Sequence, residues 1–253
     1  MASNNQTFIA YEGPSLYDGA PIVVLVQTGS SNRKTGDMVQ TYILRSDIDP
    51  ITASRTGEDK AICGECPYMG KPSDKATGQA IGRVCYVTLA HGPLGKYKAY
   101  KRGAYSKVEG HAAIRALGLG RMVRLGTYGD PACVPNYIWE SLISAAQGHT
   151  AYTHGKVNPM PDSIMTSADS AMQAQQAWER GERTFRVISD LSQVIKGKEI
   201  VCPASEEAMA LRAGGKRTTC ESCKLCAGAS VKGKSIAIVA HGTSKRAAKA
   251  LVD

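Results

Sequence analysis

The chain has 253 residues, 43% of them hydrophobic and 21% charged, the proportions of a globular protein and not of a disordered one. No apolar run approaches the ~20 residues that span a bilayer. The opening Met-Ala-Ser-Asn-Asn-Gln has neither a basic nor an apolar signal region, so a cytoplasmic location without a membrane partner is expected. A net charge of +9 (31 Lys and Arg against 22 Asp and Glu) favours an anionic partner, nucleic acid among them.

Taken in chain order, residues 1–102 form a loop-rich N-terminal portion. An apolar run over 22–27 reads as a strand, followed by a polar tip and a second run over 38–44, together a hairpin or a long crossing loop. The tip holds Asn32-Arg33-Lys34-Thr35-Gly36 but lacks the glycine order of a phosphate loop. Residues 50–82, rich in Gly, Pro, Ser and Thr, are expected to be irregular.

From 103 to 253 the chain reads as βα repeats, integrated with the first portion into one domain. Strands are expected over 84–88, 123–127, 150–153, 164–167, 184–188, 199–202 and 235–240. Helices are expected over 104–119, 135–146, 170–180, 205–213 and 244–252, with Ser170 and Ser205 as N-caps and Gly148 and Gly181 as stops. Strands alternating with helices imply parallel pairing. The fold expected is α/β, a TIM-like or partial (βα) barrel with a loop-rich N-terminal extension. Polar residues follow several strands (Asp130, His154, Asp169, Cys202, His241), at the carboxyl ends where parallel folds build sites.

The cysteines are the strongest chemical signal. With no export signal, all eight are expected to be reduced and to act as metal ligands or reactive thiols. Cys220-x2-Cys223-x2-Cys226 is the spacing of bacterial-type iron–sulfur sites. Cys202, at a strand end, supplies a fourth thiolate. A zinc site from the same residues is the alternative. Upstream stand Cys63-x2-Cys66 and Cys85, to which Cys133 adds a possible fourth ligand or a small buried hydrophobe. One or two 4Fe–4S clusters are therefore expected, with zinc as the alternative cofactor. Only two Phe stand among the core-forming residues, which makes an internal cross-link useful.

Cys63-x2-Cys66 with Arg83-Val-Cys85-Tyr, Cys202-Pro and the Cys220/Cys223/Cys226 run resembles a cysteine-rich iron–sulfur protein family of tailed phages. The resemblance runs along most of the chain, including the tip at 32–36. That family is loosely similar in turn to radical S-adenosylmethionine barrels. The resemblance implies an iron–sulfur cluster, a barrel and the cytoplasm of a phage host.

Two further features remain. Residues 96–105 interleave Lys96, Lys98, Lys101 and Arg102 with Tyr97, Tyr100 and Tyr105, a pattern that suits a single strand through phosphate neutralisation and base stacking. An inward-packed tyrosine face is the ordinary reading of the same pattern. His91, His154 and His241 are candidate ligands or proton donors. The function expected is a redox one, electron transfer or an iron–sulfur-dependent enzyme, with an electron donor or acceptor protein as partner. The alternative is a zinc-stabilised nucleic-acid-binding protein without catalysis.

Overall fold

A computed structural model of the chain describes residues 5–155, 161–211, 217–229, 232–242 and 244–252. Its first sheet grows outward from the segment that has no polar face. Strand β2 (Pro21–Gln27) buries Ile22, Val23, Val24, Leu25 and Val26 completely. Such a strand needs neighbours on both sides, and it pairs antiparallel with β1 (Thr7–Pro14) and β3 (Val39–Arg45). Strand β4 (Ser106–Lys107) adds to β1 in parallel, while β5 (Met122–Tyr128) and β6 (Gly148–Thr150) continue in parallel beyond β3. The order is β4-β1-β2-β3-β5-β6.

The second sheet is wholly parallel: β7 (Tyr152–Thr153), β8 (Met165–Ala168), β9 (Thr184–Ile188), β10 (Glu199–Val201) and β11 (Ser235–Val239), in the order β10-β11-β9-β8-β7. The last strand, Ser-Ile-Ala-Ile-Val, is buried along its length and inserts between β9 and β10. A continuous apolar run of this kind is what a two-sided parallel position selects. The sheets meet at Ala151, between β6 and β7. Its amide donates to the Cys226 carbonyl at 3.4 Å and its carbonyl accepts from Met165 N at 3.0 Å. Among the described residues no strand pairing joins the two sheets, and no barrel closure is seen. The class is mixed α/β.

The helices are α1 (Pro50–Thr56), α2 (Lys60–Cys63), α3 (Gly92–Lys101), α4 (Gly110–Gly118), α5 (Asn136–Ile143), α6 (Ala171–Glu179), α7 (Glu206–Ala210), α8 (Cys220–Cys223) and α9 (Lys245–Lys249). Ser170 and Ser205 cap α6 and α7 through side-chain acceptance from Gln173 N and Ala208 N. The end of the helix expected over 205–213 lies outside the described residues. Helices α4 and α5 approach closely at Gly118, where a Cβ would collide with the Leu142 carbonyl.

The two sheets are packed differently. The first covers a broad aliphatic core that includes Ile43, Leu125, Ile138 and Leu142 around Trp139, whose Nε1 donates to the Pro131 carbonyl at 2.7 Å. The second has a small core, Met165, Ala204, Ile236 and Ile238 with Cys202 and Cys226. It also encloses the Arg186–Glu199 pair, two hydrogen bonds of 2.8 Å between side chains no more than 1% exposed.

Several expectations are corrected. The stretch 84–88 is irregular, because the amides of Val84 and Cys85 both go to the Tyr68 carbonyl and no strand lies beside them. Residues 50–82 contain α1 and α2: Asp49 caps α1 through Ile51 N and Thr52 N, and Gly57 ends it at φ 84°. The helix expected over 104–119 begins only at Gly110, β4 taking its first part, and Gly148 lies in β6 without stopping a helix. Strand β1 and helix α3 had no counterpart in the expectation. No helix among the described residues is long and apolar enough to cross a membrane.

Candidate metal centre and cavity

The upstream cysteines are placed by the turns that follow β3. Helix α1 stops at Gly57, and the buried Asp59 receives the amide of Cys63 on its carbonyl at 2.9 Å. Cys63 closes α2. Its carbonyl accepts from Cys66 N at 3.2 Å, and a short Pro67–Met69 turn carries the chain to Tyr68, which anchors Cys85. Three cysteines, a residue type that binds soft metals, thus gather from a 23-residue stretch with little regular structure. Burial pushes the Cys63 thiol well up, and Asp59, Cys66 and Cys85 push the same way; burial also raises Cys85, against the Arg83 guanidinium.

Arg83 is the charge behind this group. Its side chain is 2% exposed, and its Nη1 lies 3.5 Å from Asp59 Oδ2. Its Nε and Nη2 are buried without a hydrogen-bond partner, as is Asp59 Oδ1. Burial lifts the Asp59 carboxyl to about 6, although Arg83 opposes the shift.

The three thiols face a cavity of about 170 Å³. Its opposite wall is built from the carboxyl ends of β5, β7, β8, β9 and β11, so the site lies where parallel strands place chemistry. His154 Nε2 lies 3.1 Å from Asp169 Oδ1, and the His154 amide donates to Asp130 Oδ2 at 2.9 Å. Burial works against the His154 imidazolium, but Asp169 and the Cys66 thiol outweigh it and hold its pKa well above the ordinary value. Burial alone would raise Asp169; the imidazolium brings it below the usual carboxylate range. Burial raises Asp130.

The downstream cysteines gather on one face of the second sheet. Cys202 follows β10, with its amide on the Ala237 carbonyl at 2.7 Å. Cys220 and Cys223 begin and end α8, which Thr219 and Ser222 cap reciprocally. Lys224 at φ 57° turns the chain so that Cys226 reaches the Ala151 junction. The polar tip at 28–37 docks here: Cys220 N donates to Lys34 O at 3.1 Å, Glu221 N to Thr35 O at 3.0 Å, and Asp37 N to Glu221 Oε2 at 3.1 Å. Burial pushes the Cys226 thiol up to about 12, with Cys202, Cys220 and Cys223 adding to the shift and the Tyr152 hydroxyl opposing it. Burial also raises Cys202, against the Lys34 ammonium and with Cys220 and Cys223. The four thiols therefore act on one another.

Arg124 stands beside Cys220 as Arg83 stands beside Cys85. Its Nη2 donates to the Tyr86 hydroxyl at 2.6 Å, while its Nε is buried without a partner. Between the two groups lie Tyr152 and Phe185, ring centroids 4.2 Å apart, and the Lys34–His241 contact of 2.9 Å. His241 Nδ1 faces the Val239 carbonyl at 3.3 Å, so that nitrogen carries the proton and Nε2 accepts from Lys34. Burial and Lys34 lower the His241 pKa, and burial lowers that of Lys34.

None of the eight cysteines forms a disulfide. Cys63, Cys66 and Cys85 come together, and so do Cys202, Cys220, Cys223 and Cys226. Cys133 joins neither group: it is fully buried in the core of the first sheet, where burial and then Asp130 raise its thiol. His91 is exposed. Among the described residues no three His, Cys, Asp or Glu side chains are arranged to hold a single metal ion.

The basic–aromatic segment is folded onto its own molecule. Lys96 Nζ donates to Thr7 Oγ1 at 2.8 Å and lies 5.7 Å from the ring centroids of Tyr42 and Tyr105. Lys101 donates to the Ser46 carbonyl and approaches Tyr97 and Tyr100, and the Tyr100 hydroxyl reaches Glu12. The three tyrosines pack against the first core. Lys98 and Arg102 remain as exposed charge.

Arg83 and Arg124 carry no recognisable spacing motif and are visible only once the thiols are placed. Lys34 belongs to the tip, yet it is turned toward His241 and not toward solvent. No family model, curated protein or solved structure matches the chain.

Proposed function

We propose that the chain is an iron–sulfur protein with a redox role, in electron transfer or in an iron–sulfur-dependent reaction at the cavity. The supporting observation is a repeated one: reduced thiols gathered beside an arginine with buried N–H groups that lack partners. Buried N–H groups without acceptors on a charged side chain are costly, and a thiolate-ligated cluster is anionic. All-sulfur donor sets are those of iron–sulfur clusters or zinc.

In this reading Cys202, Cys220, Cys223 and Cys226 hold one 4Fe–4S cluster. Cys63, Cys66 and Cys85 would hold a second beside the cavity, where a small substrate would bind. When bound, such clusters supply one-electron transfer. The chain contributes the rest. Arg83, Arg124 and Lys34 supply positive charge, His154 holds a proton against Asp169, and Tyr152 with Phe185 keeps water from the space between the groups. The two sheets then act as a partial barrel enclosing both sites. An electron donor or acceptor protein is the partner, and a tailed phage the source that the resemblance implies.

Anaerobic reconstitution followed by iron, sulfide and zinc analysis tests the proposal. Brown protein with iron and sulfide in equal amounts is expected. Colourless protein that retains zinc and no sulfide would replace it with the zinc-stabilised nucleic-acid-binding reading.

A further inference from the structure

We propose that His154 is the fourth protein ligand of the upstream cluster, joining Cys63, Cys66 and Cys85 through its Nδ1 and leaving no iron open. The inference rests on the iron–sulfur reading and narrows it. A fully ligated upstream centre passes electrons, and a substrate in the cavity exchanges them beside the cluster without binding to iron.

Two clamps hold His154 in register with the thiols, although it comes from the other half of the chain. Asp130 ties it to the helix of Cys63. The Asp130 amide donates at 2.6 Å to the carbonyl of Ile62, the residue before Cys63, and Asp130 Oδ2 accepts the His154 amide at 2.9 Å. Tyr68 ties it to Cys85. The Tyr68 carbonyl accepts the Cys85 amide at 3.0 Å, and the Tyr68 ring meets the His154 ring edge to face, centroids 5.7 Å apart. The imidazole is within hydrogen-bond reach of the Cys66 sulfur, and it lines the same cavity as the three cysteines.

The ring is also oriented as a ligand. Metal-bound histidines donate their second ring N–H to a carboxylate, which fixes the tautomer. His154 Nε2 lies 3.1 Å from Asp169 Oδ1, so Nε2 keeps its proton and Nδ1 is the nitrogen left for iron. Coordination releases the Nδ1 proton to solvent and leaves the Nε2 proton with Asp169. The other donors near the cavity are engaged. Asp130 accepts the amides of Ala132 and His154 on its two carboxylate oxygens. His241 Nε2 accepts from Lys34, and Cys133 belongs to the core of the first sheet. A neutral imidazole in place of a thiolate raises a cluster's potential.

The test is pulsed electron paramagnetic resonance of the full chain, reconstituted anaerobically, reduced with dithionite and carrying histidine labelled isotopically at nitrogen. Strong nitrogen hyperfine coupling is expected in wild type and in His241→Ala, and its loss in His154→Ala and His154→Cys. His154→Cys should retain the iron and sulfide of wild type, and the midpoint potential of its upstream cluster should fall as thiolate replaces imidazole. The inference is overturned by iron- and sulfide-loaded wild type without that coupling, by coupling that survives in the His154 variants, or by its loss in His241→Ala. An unchanged midpoint in fully loaded His154→Cys overturns it equally. In each of these cases the iron and sulfide content still upholds the iron–sulfur reading. Wild type that takes up neither iron nor sulfide overturns both.

Discussion

The two sheets solve the problem of a stable interior with different materials. The first buries β2 on both faces and packs Trp139, Leu125 and Ile138 into a continuous aliphatic core. The second has short strands, a small apolar cluster that includes two thiols, and a buried ion pair between Arg186 and Glu199. Area buried from water is the main source of stability, so the second sheet has less of it to draw on. Where a core is small, a metal bound to the folded state alone becomes part of the folding free energy. The downstream cysteines Cys202, Cys220 and Cys226 pack at the smaller of the two cores. The upstream ones sit where a cavity opens beside them.

The sharpest break of that comparison is at the ion pair. Arg186→Met leaves Glu199 buried and unpaired, and a loss of about 3–5 kcal/mol is expected, read as a fall in the urea midpoint. If the second sheet were held by apolar packing as the first is, the loss would be far smaller. Next comes Cys223→Ser. In reconstituted protein it should lose the iron of one cluster and several kcal/mol of stability, while in metal-free protein it should change melting little. Melting lowered equally in both forms would make the residue a packing element only.

Cys133→Ser sharpens the contrast from the other side. It places a hydroxyl in the first core and should cost about 1–3 kcal/mol with iron content unchanged. Equal iron loss would move Cys133 into a ligand set.

Asp59 gives the pH dependence of the upstream site in the metal-free chain. Its folded pKa, about 6, lies above its ordinary value of 3.8, so the folded state holds the extra proton between those values. Its contribution to stability is present at low pH and is lost as pH rises through about 6. Wild type should therefore lose ground to Asp59→Asn between pH 4 and 6 and hold a constant gap above that, as denaturant midpoints would show. The smallest effect belongs to Lys98→Ala, within about 0.5 kcal/mol of wild type, because that lysine contributes neither to a core nor to a thiol group.

Much of the second half was legible in the sequence. Residues 235–240 announce a strand because the continuous apolar run Ile-Ala-Ile-Val-Ala fits a two-sided parallel position, and residues 184–188 because Thr, Phe, Val and Ile favour strands. Ser170 and Ser205 announce helix starts because their hydroxyls satisfy orphan amides. Strand β1 was not legible, since Thr7–Pro14 mixes polar and apolar residues on a strand with a partly exposed face. The run 84–88 misled because Val-Cys-Tyr-Val-Thr is made of strand-favouring residues, while the amides of Val84 and Cys85 are captured locally by Tyr68. At the site, cysteine spacing pointed to the 220–226 run, and strand-end position to His154, Asp169 and His241. Arg83 and Arg124 were invisible, because a lone arginine acquires meaning only from what is buried beside it.

Hydrogen exchange measured with and without anaerobically reconstituted iron and sulfide tests the central claim most directly, because it reports stability element by element. The account predicts that loading raises protection in β8, β9 and β11, around Cys202 and Cys226, and leaves β2 and β3 as they were. Equal protection in both sheets before loading, unchanged by iron and sulfide, would contradict it.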